Sequence, residues 1–328
     1  VLKRGFILLS LFLLALVVIS GCSAESTNTT DPTDQSVTPP AVEQENEVAA
    51  TTYPLTIKDG RGAELTIPAN PKRIVSLIPS LTETLFAIGA GDKVVAVTIY
   101  DNYPVNVQDQ VEYVFLDGLN PNVEQILNLN ADLIVLGGLN DEVTKSIQAL
   151  GIPTAKYDPT TIEEIYQTIE NLGLITNTAK NAQELIASMQ EKEQQIIAQA
   201  AAIKPEDRVK VWVEVDPSLW TSGKGTFIDS LITIAGGDSI VEEQGYPQYS
   251  EEQVIDKNPQ VILITYGYYV ENAVEGVLAR EGWKDVTAVA DDRVISVDSD
   301  TVTRSGPRII DGLLEIAKAL YPDVFSKF

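Results

Sequence analysis

The chain has 328 residues, with 23 Lys and Arg, 47 Asp and Glu, one Cys and no His. A formal net charge of -24 excludes a nucleic-acid binder, which must neutralise phosphates, and excludes electrostatic attraction to anionic lipid. Without His there is no His-based triad, zinc site or haem ligation, and one Cys leaves no disulfide framework or Cys-ligated cluster.

In chain order, the first feature is an address. Lys3 and Arg4 precede an apolar run from Gly5 to Ile19, followed by Ser20, Gly21 and Cys22. Charged, then apolar, then small is the order of a secretory signal. The run is shorter than the ~20 residues a membrane span needs. Ile19-Ser20-Gly21-Cys22 resembles a bacterial lipobox, which implies cleavage before Cys22 and lipid attached to it. The plainer reading is an ordinary signal with an incidental Cys. Ser23 to Thr52 is rich in Ser, Thr, Pro, Glu and Gln and has no Lys, Arg or aromatic residue. Such a segment cannot bury enough apolar surface to order itself. We therefore expect a signal peptide over 1–21 and a disordered tether over 22–52, placing the protein outside the cytoplasm on a lipid anchor.

From Tyr53 the pattern becomes globular. Strand-like runs at Arg73–Leu77, Val94–Thr98, Leu133–Leu136, Thr154–Tyr157, Val209–Val215, Val261–Thr265 and Val294–Val297 alternate with helical ones. Continuous Val, Ile and Leu runs fit parallel strands covered on both faces, and the alternation predicts an α/β fold. The chain also repeats. Glu124 to Leu136 matches Glu252 to Ile264 at an offset of 128. Leu85, Ile88, Gly91-Asp92 and Val94-Val95 match Leu231, Ile234, Gly237-Asp238 and Ile240-Val241 at an offset of 146. Two copies of one unit follow, with an insertion of 18 residues in the first. Between them, Thr161–Leu174 reads as a helix. Residues 178–203, capped by Asn177 and ended before Pro205, read as another of about 39 Å. A helix that long would resist hinge motion; the alternative is two shorter helices packed on one lobe.

Ligands of open α/β sheets bind beyond the carboxyl ends of the strands. The stretches there are Tyr100-Asp101-Asn102-Tyr103-Pro104, Asp216 to Gly223 with Trp220, Tyr266-Gly267-Tyr268-Tyr269, and Asp298 to Arg304. Tyr246 and Tyr249 precede the second repeat helix. Aromatic residues with a few polar groups suit a small-molecule cleft; the rival reading puts these Tyr side chains on lobe edges. Ser222-Gly223-Lys224-Gly225-Thr226 fails as a phosphate loop because Ser218 stands where its first Gly belongs. Asp298-x-Asp300 begins like a calcium loop and fails at Val302. Acid pairs are too frequent in this chain to single out a glycosidase dyad.

Asn122-Val123-Glu124-Gln125 and Ser250-Glu251-Glu252-Gln253 both read as capping boxes, with each Glu at the second helical position, where the helix dipole favours an anion. That suffices as an explanation. A sharper one is a matched pair of acids, one per lobe, docking on a two-fold symmetric partner. Ser80-Leu81-Thr82-Glu83 reads as a third box, with Glu83 structural. Gly306-Pro307-Arg308 is expected to open the last helix with Pro at its first position. Arg308 is expected to pair with a carboxylate, and Arg304 to donate to ligand.

The stretch Arg73 to Glu83 resembles the first strand–helix unit of the cobalamin and iron-siderophore binding proteins of ABC importers. Tyr100 to Pro104, Pro121–Leu136, Thr221 to Lys224 and Asp300…Arg304…Pro307-Arg308-Ile309 continue the likeness over roughly residues 55–325. The Tyr-containing turn and the Asp300…Arg304 spacing resemble the cobalamin members. The likeness implies two Rossmann-like α/β lobes, here 53–158 and 206–328, joined by a long rigid helical connector at 159–205, with a ligand cleft between lobes. It implies no catalysis and no cofactor. It also implies that Glu124 and Glu252 dock on the permease dimer, which works with its ATPase subunits. Tyr100, Asp300 and Arg304 match corrinoid-contacting positions, Tyr246 falls where such proteins place a Trp, and Trp220 where one places a Phe. Leu116 and Gly137 stand where other aromatics are expected.

The expected ligand is cobalamin or a related corrinoid, held by aromatic faces and by hydrogen bonds from Asp300 and Arg304 to its amides. A ferric siderophore, or haem held by Tyr, is the second possibility. A carboxylate-dependent extracellular hydrolase is the remote one.

Overall fold

A computed structural model describes residues 49–328. The expected signal peptide, Cys22 and most of the tether lie outside the described residues. The last tether positions are already tied down: the Thr51 N–H donates to Asn177 Oδ1 at 2.7 Å.

The described chain opens with a hairpin that sequence reading missed, β1 (Leu55–Lys58) and β2 (Glu64–Ile67). The first lobe then runs β3 (Ile74–Ser76), α1 (Pro79–Ala87), β4 (Val94–Thr98), β5 (Tyr113–Phe115), α2 (Val123–Asn128), β6 (Leu133–Leu136), α3 (Asp141–Gln148) and β7 (Thr154–Lys156). Two helices follow, α4 (Ile162–Thr176) and α5 (Ala179–Ala200). The second lobe runs β8 (Lys210–Glu214), α6 (Phe227–Ile234), β9 (Asp238–Ser239), α7 (Glu251–Lys257), β10 (Val261–Ile264), α8 (Ala273–Leu278), α9 (Thr287–Ala290), β11 (Val294–Ser296), α10 (Ser299–Thr303) and α11 (Ile309–Leu320).

The repeat is real at the level of topology. The first sheet is ordered β5-β4-β3-β6-β7 and the second β9-β8-β10-β11. Their strand pairs are all parallel. Each sheet therefore turns outward twice from a central pair, β3/β6 or β8/β10. The expected insertion in the first copy contains the extra edge strand β5.

Alternation along the strands sorts side chains into three cores. Val75, Ile134 and Leu136 fill the outer face of the first sheet. Trp212, Ile262 and Ile264 fill the outer face of the second. Their neighbours Ile74, Leu133, Val135, Val211, Val213 and Leu263 join one continuous inner core with Leu81, Ile165, Met189, Ile196, Leu231 and Leu313. That core contains residues of both lobes and both middle helices. Swinging the lobes apart would expose it, at a cost of about 25 cal/mol per Å² of apolar surface.

Four expectations about helix ends need correction. The long helix is Ala179–Ala200, about 33 Å rather than 39 Å. Asn177 does not cap it; it adopts the left-handed conformation that ends α4, a conformation Asn tolerates better than most residues. Ser80 is not an N-cap, because Pro79 already starts α1 and Ile78 precedes it; the preset φ of Pro suits the first helical position. Pro307 does not start α11. It lies in a turn, and the helix begins at Ile309 after Arg308.

Candidate functional site

The site is built where the strands end. β4 and β5 release Tyr100, Tyr103, Val105, Leu116 and Leu119, all exposed. The second lobe releases Trp220, Tyr246, Tyr268 and Tyr269, also exposed. So large apolar side chains collect on one end of both sheets, where folding leaves them without a core. Tyr249 and Tyr266 do not join them. Both are buried, with the Tyr249 hydroxyl donating to Glu243 and that of Tyr266 to Glu214. Burial and the Glu243 carboxylate push the Tyr249 phenol up to about 12.

Trp220 and Tyr246 stand on two loops that zip together. Thr221 N–H donates to Pro247 O at 3.0 Å, Gly223 N–H to Gly245 O at 2.8 Å and Tyr249 N–H to Leu219 O at 3.1 Å. The polar groups of the same loop are committed within the protein. Thr221 Oγ1 donates to Val213 O at 2.6 Å, Thr226 Oγ1 caps α6, and Lys224 pairs with Asp229 at 3.2 Å. In the first lobe the Tyr100 ring lies on Gly118, where a Cβ would come within 3.1 Å of it. Gly137 lacks the aromatic its position suggests, for a packing reason. A Cβ there would sit 2.2 Å from Tyr157 O.

The structure brings Tyr100, Asp300 and Arg304 into direct contact. Arg304 Nη2 donates to Tyr100 O at 3.1 Å and pairs with Asp300 Oδ1 at 2.9 Å. Its Nη1 donates to Glu83 Oε1 at 2.9 Å and to Asn102 Oδ1 at 2.7 Å. Three terminal N–H groups donate to protein acceptors and the Asp300 carboxylate lies against Nη2, which leaves the Nε–H edge and the flat face of Arg304 uncommitted. Asp300 keeps more capacity: it also accepts from Asn102 Nδ2 at 2.8 Å, and each oxygen retains a lone pair.

Glu83 is the residue that sequence reasoning undervalued. It sits on α1 of the first lobe with its side chain 2% exposed. Besides Arg304, it accepts from Arg308 Nε at 2.8 Å and Nη2 at 2.7 Å. Arg308 thus does pair with a carboxylate, and the bonds to Glu83 raise its pKa further. Its guanidinium also covers the Tyr103 ring at 4.3 Å, a cation–π contact.

Glu124 and Glu252 lie on α2 and α7, apart from this network and both exposed. Asn122 caps α2 by accepting from Glu124 N and Gln125 N, without the reciprocal Gln125 bond expected of a box. Ser250 and Gln253 form the complete box. Hydrogen bonds from its own N–H and from Ser250 hold the Glu252 carboxyl below the usual range. One turn further on, Leu127 and Ile255 are exposed in both copies.

A separate groove of about 770 Å³ lies between the β1–β2 hairpin and α4. Its lining includes Lys58, Asp59, Asp158, Glu164 and Glu170. Tyr157 is its one aromatic lining residue and the rest are mostly polar or charged, whereas the strand ends gather several exposed aromatic faces of the kind a ligand cleft uses, so the strand ends are the candidate site.

These features define a two-lobed α/β protein with exposed aromatic loops at the strand ends. Comparison makes the class specific. Residues 74–301 match the family described as periplasmic binding protein, and the chain belongs to that family. It is 36% identical to an uncharacterized ABC transporter substrate-binding lipoprotein, YvrC, of Bacillus subtilis, over 96% of each chain. It is 32% identical to the vitamin B12-binding protein of Yersinia pestis, over 75% of this chain and 85% of that one. A solved structure from Staphylococcus epidermidis, described as a possible iron-binding periplasmic solute-binding protein, matches with a TM-score of 0.68 and 30% identity. The match covers 77% of this chain and all of that one. The protein is a binding protein of the ABC-transporter type, not an enzyme.

Proposed function

We propose that this chain is the extracytoplasmic, lipid-anchored binding component of an ABC importer for cobalamin or a related corrinoid. The observation that carries the ligand class is the charge-matched pair of arginines beside exposed aromatic residues. Arg304 and Arg308 face Glu83 and Asp300 at hydrogen-bond distance. The cleft therefore offers no free guanidinium charge to an anion, while Tyr100, Trp220 and Tyr246 offer flat apolar faces. A large, neutral, amide-rimmed macrocycle suits that surface, and the likeness to a vitamin B12-binding protein points the same way.

Asp300 accepts from a ligand amide, and Arg304 presents its Nε–H. The anchor is Cys22, consistent with a lipoprotein relative. Glu124 and Glu252 meet the two permease subunits, one lobe to each. Titration of residues 53–328 with cyanocobalamin, followed by Trp fluorescence and calorimetry, tests the ligand. Stoichiometric sub-micromolar binding is expected. No binding at tens of micromolar, with binding of a ferric siderophore or haem instead, would replace the corrinoid and leave the importer role.

A further inference from the structure

Glu83 is a buried acid of the first lobe whose partners come only from the second. Its bonds to Arg304 and Arg308 span 221 and 225 residues of sequence. Its own lobe places no cation against it among the described residues. The repeat supplies an internal control. At the offset of 146, Glu83 corresponds to Asp229 on α6, and Ser80 to Thr226. Asp229 pairs with Lys224 of its own lobe at 3.2 Å. The same repeat position therefore holds an acid twice, and only the first reaches across.

Two consequences follow from the geometry. Glu83 occupies one Nη1 hydrogen of Arg304 and two of the Arg308 donors, so it fixes which edge of Arg304 faces the strand-end loops. It also supplies one of the two negative charges that match the two guanidiniums, Asp300 supplying the other. With the carboxylate nearly sealed from water, screening is weak and the match is felt at short range.

We propose that Glu83 is the positioning and charge-setting residue of the cleft. It orients Arg304 from the opposite lobe, and it makes the site select neutral amide-bearing ligands over anionic ones. This rests on the reading that the strand ends hold the ligand, and it adds a selection rule that the aromatic faces do not supply.

The test uses cyanocobalamin as the neutral ligand and a ferric tricatecholate as the anionic one, on wild type, Glu83→Gln, Arg308→Gln and Asp229→Asn. Glu83→Gln is expected to weaken cyanocobalamin binding about tenfold or more, the size of a lost charge-assisted hydrogen bond. It should shift the anionic-to-neutral affinity ratio at least tenfold toward the anion, and the shift should shrink at high salt. Arg308→Gln should move the ratio in the opposite direction, because it leaves an excess acid. Asp229→Asn should not move the ratio. A merely structural Glu83 would weaken both ligands together in both variants, and that result would overturn the proposal. If wild type binds neither ligand, the ligand reading of the cleft fails by itself. The positioning claim is then decided by urea unfolding of Glu83→Gln, Arg308→Gln and the double variant. Clear coupling between the two sites supports it, and additive losses overturn it.

Discussion

The two lobes share a strand order and differ in where they keep their charges. In the second, the end of β8 carries Glu214, wholly buried, with Arg280 on its two oxygens, the Tyr266 hydroxyl beside it and Trp212 Nε1 at 3.3 Å. Pairing registers place Leu77 at the corresponding point of the first lobe, following β3, and it is buried among apolar side chains. The second lobe therefore satisfies its ion internally, as Asp229 and Lys224 also do. The first keeps an apolar strand end and projects its acid, Glu83, into the other lobe. One duplicated unit has thus become a self-contained half and a half that is completed by its partner. The arginines are on the self-contained half, and the carboxylate that disciplines them is on the other.

The acids proposed for docking break this asymmetry, since Glu124 and Glu252 occupy equivalent, exposed helix positions. The largest expected effect is there. Reversing both, Glu124→Arg with Glu252→Arg, should abolish stimulation of the transporter ATPase in reconstituted vesicles and spare ligand binding. Each single reversal should give a partial loss of similar size in the two lobes. Intact stimulation by the double variant would reduce both acids to helix-capping neighbours.

Next in size is the ion of the second lobe. Arg280→Ala leaves Glu214 charged and buried, which should cost about 3–5 kcal/mol, read as a fall in the urea midpoint. Copying the first lobe, with Glu214→Leu and Arg280→Leu together, should restore most of that loss, because a well-packed apolar pair removes the desolvation cost. A double variant as unstable as the single would show that the ion pair stabilises this lobe beyond satisfying itself.

A smaller effect separates two segments with one spelling. Thr226 caps α6 by accepting from Asp229 N, so Thr226→Ala should cost about 1 kcal/mol. Ser80, its repeat partner, sits inside α1 with no cap bond, so Ser80→Ala should change the unfolding midpoint little. Equal losses in calorimetry would return Ser80 to a capping role.

These pairs show what was legible in the amino-acid order. The central strands β4, β6, β8 and β10 were visible because burial on both faces demands unbroken apolar runs. The strands β5 and β9, of three and two residues, carry too short a pattern to be seen. Tyr100 and Trp220 were read as candidates because each follows a visible apolar run, and Tyr246 because it precedes the second repeat helix. Glu83 was misread because local chemistry, Ser-x-x-Glu after a turn, outweighed an interaction more than 200 residues away. Pro79 was the available warning, since it suits a first helical position better than one before a cap. The commitment of Arg304 to four protein acceptors depends on the meeting of two lobes and leaves no trace in spacing.

The smallest expected effect lies in the insertion that only the first lobe has. Asp101 is buried between Tyr100 and Asn102. Its Oδ2 accepts from Thr98 N at 2.9 Å and Thr98 Oγ1 at 2.6 Å, while Oδ1 has no partner. Burial raises its pKa, opposed by the Thr98 bonds and by Arg304. A raised acid binds its proton more tightly folded than unfolded. Its contribution therefore favours the fold at low pH and is lost as pH rises from about 4, the unfolded value, through the folded one. Acids such as Glu243, held below the usual range by Tyr249, act in the opposite sense and set the overall profile. The informative quantity is the difference between Asp101→Asn and wild type, in urea midpoints from pH 4 to 7. The variant should gain relative stability as pH rises, by about 1 kcal/mol, the scale of one buried unsatisfied group. A difference that stays flat with pH would mean that Asp101 is charged at no net cost. The insertion would then lean on Arg304 as firmly as Glu83 does.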